Sequence, residues 1–162
     1  MERRALDLDR DYDRLLEMHR LSWKVNFPGR LFSEVAFHSS LQTAPQENIS
    51  VYELDSELVG WLWLDTGRPG ECHVRHIQVA QAHWGQGLGR QIMEDAIQMC
   101  QAKDSEGITL NVTKSNERAV NLYTHLGFVV TEDRGERQGM RLALREKVPQ
   151  PRGNSQTVAG RF

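Results

Sequence analysis

Hydrophobic positions along the chain follow two periods, and the switches between them outline its elements. Residues 1–10 read as a short first strand, and the acidic stretch Asp7, Asp9, Asp11 and Asp13 can cap a helix that carries Leu15, Leu16, Met18, His19 and Trp23. That helix breaks at Asn26-Phe27-Pro28-Gly29. Leu31, Phe32, Val35, Ala36 and Leu41 then fall at near-helical spacing over 31–43, ending before Pro45. From Ile49 the pattern is that of strands: 49–54, 57–64 and, past the turn Gly67-Arg68-Pro69-Gly70, 71–79, an antiparallel meander. Helical spacing returns with Leu88, Ile92, Met93, Ala96, Ile97 and Cys100, so a helix with one buried face runs from Gly87 to Lys103. A strand over 108–113 follows, then a helix capped by Ser115 or Asn116 and ended by Gly127. Phe128, Val129 and Val130 resume strand character, and 138–145 make the final strand.

A chain of 162 residues fits one core, since single domains usually span ~100 to 200 residues. That domain covers 1–147. The tail 148–162, with Pro149, Pro151, Gly153, Asn154, Ser155 and Gln156, is expected to be flexible or docked on a partner. Hydrophobic residues at 39% beside 26% charged describe a soluble globular chain. With 22 acidic and 20 basic residues it lacks the basic excess that a phosphate backbone attracts, so nucleic acid is not an expected partner. No apolar run approaches the ~20 residues that cross a bilayer, and Met-Glu-Arg-Arg-Ala does not open a signal peptide; the expected location is the cytoplasm. Cys72 and Cys100 read as reduced core residues, and His19, His38, His83 and His125 show no metal spacing, so no metal is expected.

Candidate chemistry begins at Val79-Ala80-Gln81-Ala82-His83-Trp84-Gly85-Gln86-Gly87-Leu88-Gly89-Arg90, a strand running through a glycine loop into a helix. Glycines at 85, 87 and 89 leave N–H groups unshielded where the helix dipole favours an anion, which makes a phosphate cradle. A glycine-rich turn without a ligand is the alternative. The loop is not G-x-x-x-x-G-K-[ST], and it is not G-x-G-x-x-G because position 90 is Arg. Asn116 and Tyr123 share one face of the next helix, ~10 Å apart along its axis, with Ala119 and Val120 between them. Such a stripe suits an extended ligand with a reactive end, although Tyr123 alone is equally a packed aromatic.

Together, His76-Ile77-Gln78-Val79, Trp84-Gly85-Gln86-Gly87-Leu88-Gly89-Arg90 and the segment Asn116-Glu117-Arg118-Ala119-Val120-Asn121-Leu122-Tyr123-Thr124-His125-Leu126-Gly127-Phe128 resemble the GNAT superfamily of N-acetyltransferases in order and spacing. The resemblance implies a mixed α/β fold with a mostly antiparallel central sheet, splayed between its fourth and fifth strands and flanked by about four helices. It also implies acetyl-CoA as cosubstrate. Main-chain groups of Ile77, Gln78 and Val79 would pair with the pantetheine arm, N–H groups from Gly85 to Arg90 would hold the pyrophosphate, and Asn116 would bond the pantetheine region. Trp84 departs from the family's Gln or Arg at the head of its glycine motif, which bears on adenine-side contacts.

The activity implied is attack by a neutral amine on the thioester, with the Val79 N–H facing the developing charge and Tyr123 delivering a proton to the departing sulfur. Some relatives carry a Glu base where this chain has Asn111, whose amide takes no proton at neutral pH. His76 and His73 are the candidates for that role, and strict alternation places Glu71, His73, Arg75, Ile77 and Val79 on one face with His76 and Gln78 on the other. A structural role is open for each. Trp23, Asn26, Phe27, Arg30, Phe32, Trp61 and Trp63 are candidates for the acceptor pocket of a small-molecule or peptide amine. Family habit adds a homodimer. The rival readings are a non-catalytic acyl-CoA-binding module and a nucleotide-binding domain unrelated to CoA.

Overall fold

In the computed structural model, which describes residues 1–145, a side chain caps three of the four helices of the described residues. Asp7 accepts from the Arg10 N–H at the head of α1 (Leu8–Asn26), Ser33 from Ala36 N–H at α2 (Glu34–Thr43), and Asn116 from Ala119 N–H at α4 (Glu117–His125). The helix α3 (Leu88–Ala102) starts instead at Gly87, which has no side chain to offer. These caps move two boundaries from the positions read in the sequence. Asp7 ends the first strand early, leaving β1 (Glu2–Ala5), and Ser33 starts α2 late, leaving Leu31 in solvent. The tail expected over 148–162 lies outside the described residues. None of the described helices is long and apolar enough to cross a membrane.

The remaining strands are β2 (Ile49–Leu54), β3 (Glu57–Asp65), β4 (Glu71–Val79), β5 (Gly107–Thr113), β6 (Val129–Arg134) and β7 (Arg137–Ala143). They form one sheet in the order β1-β2-β3-β4-β5-β7-β6. Every neighbouring pair is antiparallel except β4 and β5. The β6–β7 hairpin is longer than the sequence pattern indicates because every residue of β6 is exposed, so no alternation marks it. Its turn contains Gly135 at φ +75°, a left-handed conformation that favours glycine.

Helices cover both faces. Ile92, Met93, Ala96 and Cys100 of α3 pack with Tyr123 and Phe128 over one face, and Leu15, Met18, Phe37 and Leu41 from α1 and α2 pack with Trp61 and Trp63 over the other. Cys72 and Cys100 are free thiols inside the first core, and burial pushes the Cys100 thiol up. On the second side, Arg4 grips buried Asp11 with two 2.7 Å hydrogen bonds, anchoring β1 to α1. Burial raises the Asp11 carboxyl, but the bonds from Arg4 and the Asp7 N–H outweigh it and hold that carboxyl below its ordinary range.

Two irregularities in β4 shape the molecule's centre. Its parallel pairing with β5 covers only Glu71–Val74 against Gly107–Leu110, after which the strands part. Its pairing with β3 slips between Trp63↔His76 and Leu64↔Val74, so Arg75 is the extra residue of a bulge. The bulge corrects the alternation expected along this strand. Cys72 and Val74 share the α3 side with Ile77 and Val79, while His73 joins His76 and Gln78 on the opposite face.

Candidate active site

Where β4 and β5 separate, a cavity of about 370 Å³ opens between the two helical layers. The antiparallel ladder shows which main-chain groups face it. Ala80 donates to Val59 at 2.8 Å, making that a hydrogen-bonded pair, so by alternation the N–H and C=O groups of Val79 and Ile77 turn away from β3 into the gap. The Gln78 main chain, which the resemblance placed on the ligand, faces β3 instead. No strand of the described residues pairs with the gap side of Arg75–Val79. The Val79 carbonyl is taken by the Trp84 indole N–H at 2.8 Å.

The glycine loop closes one end of the cavity. Gly85 and Gly87 adopt φ +79° and +80°, and a Cβ on either would meet nothing within 4 Å, so backbone conformation rather than crowding demands glycine here. Gly89 lies against Leu122 and Val79, at distances of ordinary contact for a Cβ. With no side chain capping α3, its first N–H groups remain available beside the cavity, and the helix dipole adds to their pull on an anion. Arg118, on the first turn of α4, stacks 3.9 Å over the Trp84 ring. The fit to a diphosphate is therefore good: free amides, a positive helix end and a nearby guanidinium.

Most of the residues singled out in the sequence line this one space. Ile77, Gln78 and Val79 contribute from β4, while Trp84, Gly85, Gly87, Leu88 and Gly89 contribute from the loop and α3. Asn116, Tyr123 and His76 are there too. Gln86, Arg90 and His73 are not among the lining residues, and Arg90 pairs with Glu94 on the helix surface. Of the acceptor candidates, Trp23, Asn26 and Phe27 line the cavity, whereas Arg30, Phe32, Trp61 and Trp63 do not. Asn116 has a structural duty besides its cap: its Nδ2 donates to Asn26 Oδ1 at 3.2 Å, tying α4 to the end of α1 across the cavity.

Tyr123 packs its ring on Phe128, centroids 5.8 Å apart, and burial raises its hydroxyl to about 12. His73 lies half-buried between strands. Thr109 Oγ1 gives its only proton to the Cys72 carbonyl, so it accepts from His73 Nδ1 at 2.8 Å. Burial, with Arg68 adding to it, pulls His73 down from the ordinary histidine value.

A chain of polar contacts that the sequence reading did not assemble lies behind His76. Trp61 Nε1 donates to Gln78 Oε1 at 2.7 Å, and Gln78 Nε2 donates to His19 Nδ1 at 2.8 Å. His19 is thereby a neutral ring with its proton on Nε2, set edge-on to His76 with centroids 4.8 Å apart. Burial lowers His19 to about 4, against a small opposing pull from Gln78. His76 falls to about 3 through burial first, then His19, Arg75 and Arg137. The sequence signal for His19 was its spacing of four from Leu15 on the buried face of α1. Arg137, which also lines the cavity, gave none.

The two most strongly depressed histidines, His19 and His76, carry a pH prediction. Each ring stays neutral in the folded state, while in the unfolded chain it takes up a proton below its ordinary value of 6.5. Their contribution is complete above pH 6.5 and is lost as pH falls toward 4 and then 3. Each histidine adds a slope of up to about 1.4 kcal/mol per pH unit. Urea unfolding between pH 6.5 and 5 checks this, and His19→Gln should remove about a third to a half of the histidine slope, His73 adding a smaller share of the same sign. A midpoint constant across that window would mean that neither ring is depressed.

Comparisons with known proteins agree with the geometry. Residues 12–128 match the family model of the acetyltransferase (GNAT) family. A Bacillus subtilis (strain 168) protein, named as a candidate N-acetyltransferase of the alanine of ribosomal protein bS18, is 28% identical over 96 residues, 57% of this chain and 60% of that one. The streptothricin acetyltransferase of Escherichia coli is 31% identical over 77 residues, 48% of this chain and 44% of the other. Each match spans less than two thirds of the relative's length. The PaiA N-acetyltransferase of Thermoplasma acidophilum, crystallised with coenzyme A, shares the fold at TM-score 0.69 and 20% identity, over 88% of this chain and 98% of its own.

Proposed function

The chain belongs to the acetyltransferase (GNAT) family, and on that premise we propose that it moves an acetyl group from acetyl-CoA to a primary amine of a small molecule or peptide. Both substrates are bound together and the amine attacks directly. One observation carries this reading: the unpaired edge of β4, the uncapped start of α3 and the Tyr123 phenol open onto the same cavity. The complex of the Thermoplasma acidophilum neighbour with coenzyme A supports the same cosubstrate. The names of the two relatives support an amine acceptor.

In this proposal the N–H groups at the start of α3 hold the diphosphate, and the gap-facing main-chain groups of Ile77 hold the arm. Acetyl-CoA supplies the activated carbonyl and the sulfur leaving group. A C–N bond forms as the C–S bond breaks; the amine gives up one proton and the sulfur gains one, so the products are the acetylated amine and CoA thiol. The Val79 N–H stabilises charge gathering on the carbonyl oxygen. Tyr123 donates a hydrogen bond to the departing sulfur. His76, unprotonated throughout the neutral range, accepts the amine proton through water and passes it to solvent; burial leaves it too weak a base to keep it. His73 has no part in this scheme.

The test is thiol release from acetyl-CoA across a broad amine panel, with the acetylated amine confirmed by mass spectrometry. Turnover of at least one amine is expected, at about 1 s⁻¹ or faster. Tight CoA binding by calorimetry with no amine turned over would favour a non-catalytic binding module. Preference for ATP or NAD over CoA would favour a nucleotide-binding domain.

A further inference from the structure

We propose that the acceptor is a primary amine that also bears a carboxylate, and that Arg137 receives that carboxylate on the wall of the cavity opposite the glycine loop. This deepens the acetyltransfer reading and rests on it. Arg137 opens β7, opposite Thr113 of β5, on the stretch where β5 has left β4. Its Nη1 donates to Thr113 Oγ1 at 3.3 Å and its Nη2 to the Asn111 carbonyl at 3.2 Å. Its head lies 4.8 Å over the Phe27 ring at the end of α1. A guanidinium has five N–H donors, so three remain for a ligand.

What singles out Arg137 is that it is partly buried and no carboxylate of the described residues lies within 4 Å of it. Most arginines of the described residues reach a carboxylate within 4 Å, including the other partly buried ones, Arg4, Arg14 and Arg141. Those that reach none, Arg30, Arg68, Arg75, Arg118 and Arg137, are exposed except for Arg137. A guanidinium withdrawn from water without an anion is costly, and here the cost is deepened by repulsion: burial first, then Arg30 and Arg134, pull its pKa down. Arg30 sits 5.7 Å over the same Phe27 ring, so two cations flank one aromatic at this side of the cavity. Among the described residues, neither Asp nor Glu lines the cavity. A polyamine or aminoglycoside would bring further positive charge to a wall that holds no carboxylate to receive it. An amino-acid-like acceptor brings the missing anion, and its amine stays free for the thioester. The carboxylate takes no covalent part. It forms charge-assisted hydrogen bonds to the guanidinium, the geometry for which arginine is best suited.

The test is steady-state acetylation with acetyl-CoA of matched pairs, each α-amino acid beside its C-terminal amide, together with β-alanine and its amide, spermidine and kanamycin. The acid form of the preferred pair should exceed its amide in kcat/KM by about 10- to 100-fold, as expected for losing a hydrogen bond to a charged group. Arg137→Gln should raise KM for the acid and bring the acid-to-amide ratio towards one, and Arg137→Lys should keep part of it. CoA affinity measured by calorimetry controls for folding, and if neither variant folds the wild-type pairs still decide. An amide equal to its acid, or spermidine or kanamycin as the best acceptor, overturns this inference and leaves acetyltransfer intact. No thiol release with any amine overturns both.

Discussion

Replacing Tyr123 with phenylalanine is expected to lower kcat about 100-fold while the affinity for acetyl-CoA changes little. The ring sits 7% exposed against Phe128, so phenylalanine keeps the packing and the fold. What disappears is the hydroxyl, which bonds to no group of the described residues and belongs to the cavity lining. General acids contribute roughly 10²- to 10⁴-fold. The low end applies because burial raises this phenol to about 12, well above the ~8.5 of a thiol, so complete proton transfer to sulfur runs uphill. The hydroxyl therefore acts by holding its proton against the sulfur as charge develops, with solvent completing the transfer. The same shift keeps the phenol protonated across the neutral range, so its loss should scale the pH–rate profile down without moving its limbs. A variant that retains kcat within about threefold would remove Tyr123 from the chemistry.

Trp61→Ala should lower the unfolding free energy by about 3–5 kcal/mol, the usual loss when a buried aromatic is truncated. Trp61 is fully buried, with Phe37 6.1 Å away and His76 stacked at 5.5 Å. Its indole also satisfies Gln78 Oε1, and leaving that atom unpaired adds to the loss. Since domains are stable by only about 5–15 kcal/mol, much of the total goes with one side chain. Urea denaturation measures it. Trp61→Phe separates the two contributions, because it retains most of the volume and removes only the N–H donor. If Trp61→Ala moved stability by less than about 1 kcal/mol, the core around β3 and α1 would not be packed as described. The Trp61–Gln78–His19 chain ends beside His76, so the phenylalanine variant should also disturb turnover more than its modest stability loss implies.

The sequence by itself determined the elements whose signals are local. The apolar spacing from Leu88 to Cys100 sets α3, the loop from Gly85 to Gly89 marks an exposed helix start, and Asn116 and Gly127 bracket α4. Each depends on residues within a few positions of one another, where period and capping chemistry act without help from elsewhere. The order of the glycine loop and the Asn116–Tyr123 stripe carried the family as well. Alternation along β4 failed at Arg75, because a bulge is a mismatch with the partner strand and leaves no trace in the strand's own pattern.

Contacts made across long separations were decided only by the tertiary structure. His19 meets Gln78 from 59 residues away, and Asn116 meets Asn26 from 90. Arg137 reaches Phe27 only after the chain has crossed the whole sheet. The depression of His19 and His76 and of the Arg137 guanidinium follows from burial and from which charges are near, and these exist only once the two helical layers have closed on the parted strands. The sequence alone thus sufficed to propose where a diphosphate and a thioester would lie, because that proposal needs only main-chain geometry near one loop. The wall proposed to face the amine needed the fold, since it is assembled from α1, β4, β5 and β7, which come together only in space.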